Sequence, residues 1–232
     1  MKVNYVILSA SFAKRIMLTV CMMIVGGTMY AQQEATGQLQ PETTEAVKKP
    51  QWGVKAALNI ASLSFNADNG GSEESKSVIG GAAGLTFTYA FNPQWRLHSG
   101  IELNMKGFAV NVQYSSRKMT VHAGYIQIPV QCGYAINFGN WNLEPRLGAY
   151  FAYGILGNYG MSGSSVSKKT FGDEVLTPFD AGIIFGFYVD NGKYVFGIGN
   201  EIGLTEANGD HFTVSGGSVH TRNTFFTLGY LF

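Results

Sequence analysis

Charged and amide side chains occur at every second position of several segments that are otherwise rich in apolar residues. Arg96, His98 and Glu102 share one phase of such an alternation, and a later segment repeats the pattern. Residues two apart in an extended strand point to the same side, and a buried charge needs a partner. This phase therefore predicts a buried polar network, to which we assign Lys55, Arg96, His98, Glu102, Lys106, Gln127, Gln131, Glu144, Arg146, Asp180 and Glu201.

The same residues could instead form a proton or solute path, or a catalytic site. An enzyme of the nucleophilic type needs a nucleophile, a base and an orienting group within reach of one another. The sequence has no Gly-x-Ser-x-Gly elbow and no evident Ser, His and acid spacing, and His211 and His220 are typical of a solvated loop. We therefore predict no enzyme, no cofactor and no metal site.

Composition limits the class of protein and of partner. The 232 residues include 30 Gly, 16 Phe and 12 Tyr, which favours β structure with many turns. A formal net charge of +1, with no clustered basic face, argues against a nucleic-acid partner. Of the two cysteines, Cys21 lies in a segment expected to be removed, so Cys132 is left as a lone thiol.

Apolar residues alternate with small or polar ones through eight segments between Trp52 and Phe232, and this period of two predicts strands. Facing residues of an antiparallel hairpin must point to the same side. Centring three short turns on Pro93, between Phe138 and Gly139, and between Asn191 and Gly192 keeps the faces consistent. The sequence therefore predicts an all-β, up-and-down meander of eight antiparallel strands.

Two residues predict irregularities in this meander. At Gly107 the alternation changes phase so that Phe108 joins the apolar stripe, which indicates a bulge. Pro129 has no N–H to give to a ladder, so we expect a bulge or a water-satisfied carbonyl in its partner strand. The turn between Phe138 and Gly139 places Gln131 opposite Arg146.

The apolar stripe could face inward, as in a soluble carrier, or outward into lipid. Eight strands enclose an interior only just wide enough for side chains or one small ligand, and several large apolar residues per strand would overfill it. The segments supply the ~9–11 residues that a tilted strand needs to cross a bilayer, and lipid requires a closed barrel. We therefore predict an outer-membrane β-barrel, with an interfacial girdle of Phe91, Trp95, Tyr134, Trp141, Tyr194, Tyr230 and Phe232.

The N-terminus has the order of a secretory signal peptide. Lys2, Lys14 and Arg15 precede an apolar run at 16–26, and Ala31 follows it. The run is shorter than the ~20 residues of a spanning helix, and Cys21 lies within it, which disfavours an anchor and a lipoprotein. We expect cleavage after Ala31, a flexible periplasmic lead-in at 32–51 and the barrel domain at 52–232.

Short motifs in this order and spacing resemble the small outer-membrane barrel proteins of Bacteroidetes that are grouped as PorT-like. The resemblance runs over 53–232. It implies an eight-stranded barrel inserted by the barrel assembly machinery, with Tyr230 and Phe232 similar to its recognition signal. The motifs are those at 52–60, 102–107, 125–129, 179–182 and 229–232.

Two functions remain open from the sequence. The first is a structural or interaction protein with a plugged lumen, whose outer loops bind an unknown envelope or extracellular partner, in contact with lipids and lipopolysaccharide and linked to protein secretion or surface organisation. The second is a narrow channel or small-ligand carrier that uses the charged lumen.

Overall fold

The computed structural model describes residues 50–67, 72–111, 118–161, 167–171, 176–207 and 217–232. The predicted signal peptide, its cleavage position Ala31 and the lead-in up to residue 49 lie outside the described residues. Eleven strands occur in the described part: β1 Gln51–Ala67, β2 Ser72–Glu74, β3 Lys76–Ala90, β4 Trp95–Asn111, β5 Lys118–Tyr134, β6 Ile136–Phe138, β7 Trp141–Met161, β8 Ser167–Lys169, β9 Phe179–Asp190, β10 Tyr194–Gly203 and β11 Gly217–Leu231.

Eight long strands form one closed antiparallel barrel in the order β1, β3, β4, β5, β7, β9, β10, β11. The last strand returns to the first, and β11 pairs with β1 from Gly53–Leu231 to Ala67–Gly217. The three-residue strands β2, β6 and β8 extend the ladders of β1 and β7. The predicted eight-stranded up-and-down barrel is thus confirmed. No helix long and apolar enough to span a bilayer occurs among the residues described.

The two stripes of each strand point as the volume argument predicts. On β1, Leu58 is 51% exposed while the adjacent Asn59 is 1% exposed. Because alternate residues face opposite sides of a sheet, the apolar stripe lies on the outer surface and the polar stripe lines the lumen. The same division holds on β9, where Phe187 is exposed and Tyr188 is buried.

The short turns all lie at one end of the barrel, together with both ends of the barrel domain; we call this the short-turn end and the opposite one the loop end. Gly139 and Gly192 have φ of 65° and 81°, and each occupies the first central position of a two-residue turn, where primed hairpins need a positive φ. The turns are therefore centred one residue later than predicted. The pairing shifts by two, to Gln131–Gly148 and Gly133–Arg146, and the faces are unchanged because the shift is even.

The bulge predicted at Gly107 is wrong. The ladder from β4 to β5 runs without a shift through Gly107–His122, and Phe108 stays on the inner face with 2% exposure. The register shift lies on the neighbouring strand instead, between Ser77 and Ala82 of β3. A second shift lies where β5 meets β7, between Gly124 and Tyr125.

Pro129 interrupts the sheet on one side only. The ladder between β4 and β5 passes from Ser99–Val130 to Glu102–Gln127 in one register, leaving out Pro129 and its neighbour. The Ser99 hydroxyl donates to the Pro129 carbonyl over 2.9 Å. In an antiparallel strand the N–H and C=O of one residue point to the same neighbour, so the missing N–H also faces β4. The ladder is thus interrupted at Pro129 without a bulge, and the other expected outcome, a carbonyl of the partner strand satisfied by water, stays a prediction.

The strands continue further at the loop end than the sequence predicts. β7 extends to Met161, and its residues 158–160 pair with β8. With 21 residues, β7 exceeds the ~9–11 that cross a bilayer. The barrel wall is therefore longer at this end than a tilted strand needs to cross a bilayer.

Candidate functional site

The centre of the lumen is bridged by Gln127, whose side chain is completely buried. Its Nε2 donates to Glu102 Oε1 over 2.9 Å and to Glu201 Oε1 over 2.6 Å. Its Oε1 accepts from Asn104 Nδ2 over 3.2 Å, and Asn104 in turn accepts from Asn59 over 2.7 Å. These side chains come from β1, β4, β5 and β10, so the amide chain ties together opposite walls of the barrel.

Cations neutralise the carboxylates of this central layer. Lys106 Nζ lies 2.9 Å from Glu201 Oε2 and 3.6 Å from Asp180 Oδ2, and Lys55 is ion-paired with Glu102. The Lys106 ammonium also lies 4.4 Å from the centre of the Tyr150 ring, a distance at which a cation is attracted to the face of an aromatic ring.

Asp180 is held mainly by hydroxyl groups. Its Oδ2 accepts from Tyr150 over 3.1 Å and from Thr221 over 3.0 Å, and its Oδ1 accepts from Thr205 over 3.1 Å. Carboxylates that are buried need such donors to replace water. Tyr150 and Thr205 are therefore part of the lumen network, although the sequence analysis did not assign them to it.

A second layer lies nearer the short-turn end and is centred on Glu144, which is 0% exposed. Glu144 Oε1 contacts His98 Nε2, and Oε2 lies 3.2 Å from Arg146 and 3.5 Å from Arg96. Arg146 places its guanidinium 4.0 Å from the centre of the Tyr188 ring. The layer thus holds one buried carboxylate between two guanidinium groups and an imidazole.

Asp190 is a site residue that the sequence analysis leaves out; it lies directly before the turn at Asn191 and Gly192. It is 2% exposed; Arg96 lies 3.1 Å from its Oδ2, and Asn142 and the Gly192 N–H donate to its Oδ1 over 3.0 Å each. Its position was available from the pattern, since Asp180 and Asp190 share the even, inward phase of β9.

Thr88, His98 and Glu144 form a row with the connectivity of a nucleophile, a base and an orienting acid. The Thr88 hydroxyl lies 3.0 Å from His98 Nδ1, and His98 Nε2 contacts Glu144. Thr88 and His98 are only 6% and 7% exposed. The adjoining cavity is about 50 Å³, room for roughly four waters.

The loop end of the lumen has a different character. Leu63, Phe108 and Val121 are almost completely buried there and belong to an apolar cluster. Tyr125, also buried, packs edge to face against Phe171 with the ring centres 5.3 Å apart. The interior is therefore ionic at the short-turn end and at its centre, and apolar at the loop end.

The structure places all the predicted network residues on the inner face. Most belong to the two layers just described, and Gln131 lies beside His98 in the ladder. The predicted girdle residues lie on the outer face at the short-turn end, where Trp95 contacts Tyr134 and Tyr194 contacts Tyr230, with ring centres 5.1 and 5.5 Å apart. Phe91 and Trp141 are half-buried there, and Phe232 is exposed. Within the described residues, no group of His, Cys, Asp and Glu side chains could hold a metal ion.

Comparison with known families decides the assignment of the chain. The family model described as outer membrane protein beta-barrel domain matches residues 30–206. The chain belongs to this family. As a member of the outer membrane protein beta-barrel domain family with a closed antiparallel barrel, the protein resides in the bacterial outer membrane.

Solved structures of barrels with low sequence identity also align with this family member. Neisserial surface protein A is 12% identical with a TM-score of 0.44, over 78% of this chain and 97% of that one. The attachment invasion locus protein Ail of Yersinia pestis is 16% identical with a TM-score of 0.37, over 78% and 98%. The translocator domain of autotransporter NalP from Neisseria meningitidis is 8% identical with a TM-score of 0.35, over 95% and 99%. No curated protein matches the sequence.

Proposed function

We propose that this outer-membrane barrel is a structural or interaction protein, with a filled lumen and with loops at the end opposite the short turns that bind a partner outside the cell. The observation that carries the proposal is the bridge from Glu102 through Gln127 to Glu201, at 2.9 and 2.6 Å. Side chains that hydrogen-bond across the centre of the lumen support a filled interior at that level.

The height of the wall supports the second half of the proposal. Four strands have 17 residues or more, namely β1, β4, β5 and β7. At roughly 3.3 Å per residue, these strands extend past a hydrocarbon core of ~30 Å even when tilted by ~45°. A rigid wall that stands above the membrane positions loops for binding, which is where variable function on a scaffold usually lies.

Planar bilayers test the filled lumen. We expect the purified full-length barrel, checked for folding by its heat-modifiable migration on gels, to give no sizeable open conductance. A sizeable conductance that Arg96→Ala or Glu102→Ala changes, in variants that still fold, would replace this proposal with a narrow channel or small-ligand carrier.

Crosslinking in living cells tests the partner. A photoreactive residue at Leu204, which is 57% exposed at the loop end, should give a discrete adduct with one envelope or extracellular protein. The matched control is a photoreactive residue at Lys193, which is exposed in a short turn. Adducts of equal pattern at both positions would contradict recognition by the loops.

The resemblance of the motifs at 102–107 and 125–129 supports a finer proposal, namely membership of the PorT-like group of Bacteroidetes and a link to protein secretion or surface organisation. Deleting the gene should then lower the amount of secreted or surface-attached protein, and unchanged export would contradict this link. We assign Tyr230 and Phe232 to recognition by the barrel assembly machinery, so Phe232→Ser should lower the amount of barrel assembled.

The proposal includes no catalysis and no cofactor. Burial of Thr88 and the small volume beside it support this assignment. If the barrel were an enzyme acting on lipids, purified outer membranes from cells with and without it would differ in lipid composition, and Thr88→Val would remove the difference. We expect the same lipid composition in cells with the protein, in cells without it and in cells with the Thr88→Val variant.

A further inference from the structure

The lumen contains a cavity of about 50 Å³ between the Glu144 layer and the short-turn end. One water needs roughly 10–15 Å³, so the cavity has room for a small ion together with adjacent water molecules. Lys55 and Arg96 line it and keep 20% and 21% of their side-chain surface exposed. The cavity is therefore reached by solvent from the short-turn end.

The charges on its wall are mostly positive. Lys55, Arg96 and Arg146 line the cavity, and Asp190 is the only carboxylate among its lining residues in the described part of the chain. Glu102 and Glu144, which pair with these cations, lie outside the lining. The wall of the cavity thus carries three cationic groups and one carboxylate.

Two buried side chains on this wall have an N–H group without an acceptor. Arg146 Nε has none, and Gln131, a residue only 5% exposed, has the Tyr188 hydroxyl for one of the two N–H groups of its Nε2. A buried donor left without a partner is unfavourable, and such a group in a native protein calls for a ligand, an ion or water. Both atoms belong to residues that line the same cavity.

The nearby carboxylates are already occupied. Glu144 Oε1 contacts His98, and Oε2 contacts Arg146 and Arg96. Asp190 accepts from Asn142 and the Gly192 N–H at Oδ1 and pairs with Arg96 at Oδ2. These carboxylates therefore do not supply the acceptor that Arg146 Nε and the second N–H of Gln131 lack.

We propose that this cavity binds a small inorganic anion, of the size of chloride or phosphate, from the periplasmic side. The anion accepts from Gln131 Nε2 and Arg146 Nε and is held by the positive charge of Lys55 and Arg96. A water molecule can accept the same bonds, but its hydrogens then point at cations, which disfavours water relative to an anion.

Titration calorimetry tests the site on the full-length barrel folded in detergent. The background salt is sodium gluconate, whose anion is larger than the cavity, and sodium chloride or sodium phosphate is titrated in. We expect saturable binding of one anion per barrel, weakened at least tenfold by Gln131→Leu. The matched control is Lys193→Gln, which removes an exposed positive charge at the same end and should leave the affinity unchanged.

A second variant gives a readout that does not need added ligand. Gln131→Glu places a carboxylate in the cavity itself, so it should raise the melting temperature in gluconate and abolish binding of chloride and phosphate. Absence of saturable binding in the folded wild type, or a lower melting temperature for Gln131→Glu, would show that the cavity holds water only and overturn the proposal. Conductance does not enter this test, so its outcome is independent of the filled lumen.

Discussion

Gln127 Nε2 on β5 and Glu201 Oε1 on β10 lie 2.6 Å apart across the barrel, although two strands, β7 and β9, separate β5 from β10 in the sheet. The hydrogen bond therefore spans the lumen and does not follow the wall. Gln127 suits this place because an uncharged amide donates to two carboxylates, Glu102 and Glu201, without adding charge.

Replacing Gln127 by Glu should destabilise the barrel. A third carboxylate would face Glu102 and Glu201 with only the existing cations to balance it, and an uncompensated buried charge costs about 3–5 kcal/mol. Urea unfolding in lipid vesicles, followed by tryptophan fluorescence, measures the change. Gln94→Glu, in an exposed turn, is the control and should change little; equal unfolding midpoints for both variants would contradict the bridging role.

Substitutions at Lys106 and Glu201 should have non-additive effects on the free energy of unfolding. Lys106→Met leaves two buried carboxylates without their cation and should lower the free energy of unfolding by about 3–5 kcal/mol. In the Glu201→Gln background one of these carboxylates is already neutral, so the same change should cost at least ~1 kcal/mol less. Additive effects in the double-mutant cycle would mean that the 2.9 Å pair contributes no interaction energy.

Gly84 should not accept a methyl group. A Cβ there would overlap the Ile101 carbonyl oxygen and come within 2.6 Å of the Glu102 Cα, so backbone would have to move. We expect Gly84→Ala to lower the free energy of unfolding by about 1–3 kcal/mol. At Gly229 the nearest atom to an added Cβ is 3.3 Å away, so Gly229→Ala is the matched control, and a loss as large as that of Gly84→Ala would count against this reason.

Gly192 should be replaceable by Asn with less loss than by Ala. Its φ of 81° costs an ordinary L-residue about 1–2 kcal/mol, whereas Asn enters this region more readily. The midpoint of unfolding should therefore be highest for the wild type, lower for Gly192→Asn and lowest for Gly192→Ala. A ranking in which Ala equals Gly would show that the hairpin adjusts its turn without cost.

The division into two faces could be predicted because it depends only on parity. Val130 and Gln131 point to opposite sides in any register, and an error of two residues in the turn leaves them there. The turn centre itself depends on which residue takes the positive φ. The pair Asn191 and Gly192 favours a turn centred between them, but Gly192 takes the first central position, so the register could not be obtained from the motif.

The sequence predicts a polar interior, but it does not predict that the apolar side chains inside the barrel are gathered at the loop end. The change of phase at Gly107 predicts Phe108 on the lipid face. It points inward because the lumen at the loop end is filled by an apolar cluster with Leu63 and Val121, a feature that depends on which strands meet at that height. Asp190 was missed for the opposite reason, since an acidic residue beside a turn is usually solvated.

The pairing of β1 with β11 determines when this barrel can be completed. Gly53 meets Leu231 near the two ends of the described chain, so the ladder that removes the last free edge joins the residues most distant in sequence. Loop-closure entropy must be overcome before such contacts form. No fragment lacking β11 can close in this register, and we infer that the chain remains an open sheet, in need of protection from aggregation, until its final strand has been exported.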